Sequence, residues 1–66
     1  MASGVVARSV LIADDEPLAR ERIRMLLAPH PGFRIVGESG TGGETLEQIR
    51  GERPDIVFLA IHLPGP

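Results

Sequence analysis

Two short runs in this chain are apolar at every position: Val10-Leu11-Ile12-Ala13 and Ile56-Val57-Phe58-Leu59-Ala60-Ile61. A strand with one wet face alternates apolar and polar residues, so runs without alternation fit strands buried on both faces. Such strands need cover above and below. The sequence between the two runs reads as helix, strand and helix, and this arrangement dictates the architecture.

Pro17 suits the first position of a helix, with Asp15 or Glu16 in the cap region. Ala19, Ile23, Leu26 and Leu27 then recur at helical spacing, and Arg20, Glu21 and Arg24 are expected on a solvated opposite face. The segment Pro29-His30-Pro31-Gly32 ends that helix, and Phe33 to Glu38 reads as a second strand. Thr41-Gly42-Gly43-Glu44 has capping-box spacing and opens a weaker helix carrying Leu46 and Ile49. Its two glycines each cost about 1 kcal/mol against alanine inside a helix. Arg53-Pro54-Asp55 breaks the helix before the third strand, Ile56 to Ile61.

The expected fold is α/β, in the order β-α-β-α-β. Parallel strands joined by right-handed crossovers, with the first strand central, take the order 2-1-3 and put the helices on opposite faces. The strand order then reverses between the carboxyl ends of strands one and three, where an open α/β sheet receives its ligand. Asp14 and Asp15 end strand one there, with Ala60 and Ile61 ending strand three beside them.

Composition narrows the chemistry of that crevice. The chain has 66 residues, a net charge of -2 and no cysteine; all 7 of its basic residues are arginines. Thiolate metal sites and lysine nucleophiles are thereby excluded, and the charge argues against direct nucleic-acid or membrane-surface binding. No apolar stretch approaches the ~20 residues of a membrane span. The first eight residues are too short and weakly apolar for a secretory signal, so the expected compartment is the cytoplasm.

Asp14, Asp15 and Glu16 put three acids in a row at the crevice. Adjacent carboxylates without histidine or cysteine partners suit a hard, oxygen-loving ion such as Mg2+, which keeps several waters. A plainer alternative is that Asp15 and Glu16 cap the helix and favour its positive end.

The segment "VLIADDEPLARERIRMLL", followed by "RPDIVFLAIHLPG", resembles the receiver domain of bacterial two-component response regulators. The resemblance covers nearly the whole chain from about residue 9, and "PLARERIRMLL" is most similar to receivers joined to LytTR-type DNA-binding domains. It implies a partial flavodoxin-like fold, with residues 1–66 forming an incomplete, N-terminal half of a receiver and no effector domain. It also implies a phosphorelay role with a sensor histidine kinase as partner. Asp14 and Asp15 match the acid pair that helps to bind Mg2+, Asp15 being the more direct ligand. His62 matches the position whose backbone carbonyl completes the metal shell. The phosphoacceptor position, an aspartate in the family, is Ala60 here. Alanine has no oxygen to attack phosphorus, so the expected module is a receiver that is not phosphorylated, rather than an enzyme.

Two other readings compete. "GESGTGGET", Gly37 to Thr45, imitates a P-loop, but Gly43 and Glu44 stand where its Lys and Ser/Thr belong. An ordinary strand-to-helix turn is the preferred reading. The second is a fragment of a magnesium-dependent phosphotransfer or phosphohydrolase enzyme using Asp15 as nucleophile. His30 and the His62 imidazole are expected to be solvated. Finally, Ile56 to Ile61 is an edge strand written for a sheet centre. The chain is expected to dimerise through this strand, to pack against a missing C-terminal half, or to remain partly unfolded.

Overall fold

The computed structural model describes residues 6–60. Its centre is β1, Arg8–Ala13, flanked on one side by β2, Phe33–Ser39, and on the other by β3, Ile56–Leu59. Both pairings are parallel, and the sheet order is 2-1-3 as expected. The crossovers are α1, Pro17–Leu27, and α2, Gly42–Glu52.

Val10, Leu11 and Ile12 are 0% exposed and Ala13 is 1% exposed. Successive strand residues point to opposite faces, so four consecutive buried residues mean that both faces are covered. Each helix contacts β1 and β2, and the helices do not contact one another. They therefore lie on opposite faces, as right-handed crossovers in this order require. Each of the three fully buried side chains contributes about 1.5–3 kcal/mol of apolar burial.

β3 is the contrasting strand. It has the strongest strand signal in the chain, yet Phe58 is 38% and Leu59 is 61% exposed. Its edge position explains this, because only β1 pairs with it. The regular strand ends at Leu59, two residues before the expected end, although the Ala60 N–H still bonds the Ala13 carbonyl at 2.8 Å. Ile61 lies outside the described residues.

The α1 contact face departs from the expected one. Ala19, Ile23 and Leu27 are half-buried, but Leu26 is 71% exposed, alongside Leu18 and Met25 at 67% each. The helix is rolled so that Arg20, one position after Ala19, takes a share of the sheet face at Leu26's expense. At its end, Ala28 caps through its N–H to the Arg24 carbonyl, and His30 sits exposed, edge-on to Phe33.

α2 begins with the anticipated cap. Thr41 is extended, and its hydroxyl oxygen accepts the Glu44 N–H at 3.1 Å. The reciprocal bond falls one residue earlier than in the standard box, because the Glu44 carboxylate accepts the N–H of Gly40 at 3.0 Å. Thr45, buried, donates its hydroxyl to the Thr41 carbonyl and accepts from the Ser39 hydroxyl, each at 2.7 Å. The helix stops at Arg53, whose φ of 49° is left-handed, followed by Pro54.

Two further features pin the sheet. Ile35 pairs with Val10 but Gly37 with Leu11, so Val36 is an extra residue in β2, a β-bulge. A Cβ at Gly37 would collide with the Gln48 amide oxygen, whose partner nitrogen donates to the Glu38 carbonyl at 2.6 Å. At the amino end of the sheet, the Asp55 carboxylate accepts from the Ser9 N–H at 2.8 Å and the Ser9 hydroxyl at 3.1 Å. The Asp55 N–H in turn lies 2.9 Å from the Ser9 hydroxyl oxygen and 3.0 Å from the Ser9 carbonyl.

Candidate functional site

The acids emerge where the strand ends converge. The Asp14 N–H bonds the Ser39 carbonyl of β2 at 2.9 Å, while Ala13 accepts the N–H of Ala60 on the other side. Since Ala13 is level with Leu59, one further step along both strands puts Asp14 level with Ala60. The sheet thus brings Asp14 and Ala60 together across the crevice, with Asp15 next in the loop. His62, whose backbone carbonyl is expected to complete the metal shell, lies outside the described residues.

The three acids do different work. Asp14 is half-buried, and its carboxylate accepts the N–H of Glu16 at 2.9 Å, closing the turn into α1. Asp15 and Glu16 are exposed. Glu16 occupies the N-cap position but makes no side-chain cap bond, and the first turn of α1 contains no acid. The capping reading of Asp15 and Glu16 is therefore not realised; Asp14 stabilises the turn.

The expectation that Arg20 and Arg24 form a solvated face holds for Arg24 and Glu21, which are exposed, and is corrected for Arg20. Arg20 Nε lies 3.1 Å from Glu38 Oε1, and Arg24 Nε lies 3.2 Å from Glu38 Oε2. Arg20 Nη1 also donates to the Asp14 carbonyl. The physical reason is Glu38 near the end of β2, which presents a carboxylate to two arginines one helical turn apart. A helix wheel assigns arginine to water by type and misses this. The available signal was an acid at the crevice end of a strand.

The P-loop imitation resolves into a strand-to-helix turn. Gly37 to Ser39 belong to β2, and the Gly40 N–H that a phosphate would seek is taken by Glu44. A shallow groove lined by Arg22, Met25 and Leu26 lies towards the other end of α1, away from the acids.

For a metal, the crevice offers carboxylates and backbone oxygen. No group of three metal-ligating side chains occurs among the described residues, and the side chain of Ala60, level with Asp14, carries no ligating atom. This donor set is compatible with a largely hydrated Mg2+, which one or two carboxylates can hold.

At the other end of the sheet, Asp55 has its carboxyl held below the usual carboxylate range. The Ser9 N–H is the main cause, then the Ser9 hydroxyl, with smaller help from Arg8 and Arg34 against a small burial effect. It makes the pairing of β3 with β1 a matter of charge as well as backbone.

Comparison with known proteins agrees with the architecture. The chain is 46% identical over 54 residues to the sensory transduction protein LytT of Enterococcus faecalis, an overlap of 82% of this chain and 22% of that protein. It is 47% identical over 55 residues to the transcriptional regulatory protein BtsR of Salmonella typhi, covering 83% of this chain and 23% of the relative. It is 48% identical over 58 residues to the positive alginate biosynthesis regulatory protein of Pseudomonas aeruginosa, covering 86% and 23%. The chain thus spans less than a quarter of the length of these relatives. Residues 10–66 match the response regulator receiver domain, a stretch that includes Val10 to Ala13 of β1 and all of β2 and β3. The chain belongs to the response regulator receiver family.

Proposed function

We propose that this chain is the N-terminal half of a receiver module in a phosphorelay and that it does not accept a phosphoryl group. One observation supports the reading: Ala60, which the resemblance matches to the family's phosphoacceptor aspartate, lies level with Asp14 at the crevice. Phosphoryl transfer to a carboxylate forms a P–O bond at a carboxylate oxygen as the donor's P–N or P–O bond breaks. A methyl group has no electron pair for that step. The module acts by binding rather than as an enzyme, in the cytoplasm, with a sensor histidine kinase as partner.

Asp14 and Asp15, with the backbone carbonyl of His62, would hold Mg2+ weakly. When bound, the ion would offset the charge of the acids. Because its relatives include a sensory transduction protein and a transcriptional regulatory protein, the output is transcriptional control exerted by the remainder of a longer protein. The open edge of β3 supports a second proposal, that the Ile56-Ile61 segment pairs with a second copy or is covered by the C-terminal half of the domain. Sedimentation with hydrogen exchange tests it: a monomer with strongly protected amides from Ile56 to Leu59 would refute it.

Incubation with acetyl phosphate and Mg2+, followed by intact-mass measurement, tests the main reading. The expected mass is unchanged. A stable adduct on Asp15 in the unaltered chain would overturn the silent receiver and favour the phosphotransfer enzyme instead.

A further inference from the structure

Arg20 differs from the other arginines. All 7 lie within the described residues, and it alone is not exposed. Its side chain retains 22% of its accessibility, against 50% for Arg24 on the same carboxylate. The guanidinium ties three segments together: α1, which carries it, Glu38 near the end of β2, and the carbonyl of Asp14. It also comes within van der Waals distance of the Cβ position at Gly40, so it fills the gap between the turns that follow β1 and β2.

The Asp14 carbonyl belongs to the peptide unit that joins the two crevice acids. A donor fixed on that oxygen sets the plane of the peptide and hence the direction in which Asp15 leaves it. On the far side of the same turn, the Asp14 carboxylate holds the Glu16 N–H. The acid pair is therefore gripped through backbone, while the exposed Asp15 carboxylate is left to a ligand. We infer that Arg20 is a positioning residue for the acid pair, holding the Asp14–Asp15 peptide in the orientation that presents both carboxylates to a divalent cation. This rests on the magnesium reading above.

Charge and geometry pull in opposite directions here, which makes the inference testable. As a mere neighbouring cation, Arg20 would weaken binding of a second cation, and its removal would tighten it. As a clamp, its removal loosens the pair and weakens binding. Lysine keeps the charge but lacks the planar fork that reaches a carboxylate and a carbonyl together.

The experiment is Mg2+ titration of the 66-residue chain, followed by the amide resonances of Asp14 to Glu16, with Arg20→Met and Arg20→Lys beside the parent. Both variants should bind Mg2+ about tenfold more weakly, the usual scale for residues that orient metal ligands. Amide exchange at Glu16 should accelerate in both without metal, while Val10 to Ala13 stay protected. Equal or tighter binding by Arg20→Met overturns the proposal, as does unchanged exchange at Glu16 in either variant. If Arg20→Met does not fold, Arg20→Lys decides: either parental affinity or parental Glu16 protection refutes the clamp. If the parent itself binds no Mg2+, the magnesium reading falls, and Glu16 exchange still judges the grip.

Discussion

The two ends of β1 treat their aspartates in opposite ways. At the amino end, the Asp55 carboxylate receives the N–H and hydroxyl of Ser9, and its own N–H returns to Ser9. At the carboxyl end, Asp14 receives one backbone N–H, Asp15 is exposed, and the nearby guanidinium of Arg20 binds a carbonyl rather than either carboxylate. One end satisfies its acid internally and so closes the sheet. The other turns its donors to the backbone and to Glu38, and leaves the Asp15 carboxylate exposed. The same residue type is thus satisfied within the fold or left exposed according to where the local N–H groups point.

The strongest way to break this comparison is to add charge to the open end. Ala60→Asp puts a third carboxylate ~4 Å from the acid pair, costing on the order of 1 to 4 kcal/mol before screening. Urea melts should show that loss without metal, and Mg2+ should restore part of it by binding the folded state. If stability and Mg2+ affinity are the same in both chains, residues 14, 15 and 60 do not converge.

A smaller effect is expected where β2 bulges towards the crevice. Gly37→Ala would displace the Gln48 amide from the Glu38 carbonyl, and the loss of one part-buried hydrogen bond is worth about 1 kcal/mol. The cost stays modest because Gln48 is flexible and can swing away. A loss well above that in thermal melts would mean that the bulge, not the side chain, sets the need for glycine.

The smallest effect sharpens the closed end. Asp55 has a lowered pKa in the fold, so its contribution to stability is present above the unfolded carboxylate's titration and is lost as pH falls through the folded value. Asp55→Asn should therefore flatten the acid limb of a pH–stability curve. Because the group is exposed, the change will be slight. An acid limb identical in both proteins would show that the Ser9 bonds carry no charge-dependent stability.

Much of this was legible in the sequence. Continuous apolar runs locate β1 and β3, the crossover rule orders the strands, and Thr41 with Glu44 marks the second helix start. The crevice position of Asp14 and Asp15 follows from that topology. What escaped the reading lies between elements. Arg20 and Leu26 exchanged expected places because periodicity sorts residues by hydropathy and cannot see Glu38 waiting on β2. The Ser9–Asp55 pair spans 46 residues and matches no motif. The bulge had a sign, glycine at 37 within a strand, but its partner Gln48 was visible only in three dimensions.

The central place of β1 also has a consequence in time. Its pairing with β3 joins residues 46 apart, so during synthesis at about 5–20 residues per second it waits roughly 2 to 9 s for that partner. Until then the most buried strand of the sheet has β2 on one side and nothing from its own chain on the other. The nascent chain is most exposed to misassembly in that interval, and the clamp at Ser9 forms only when the interval ends.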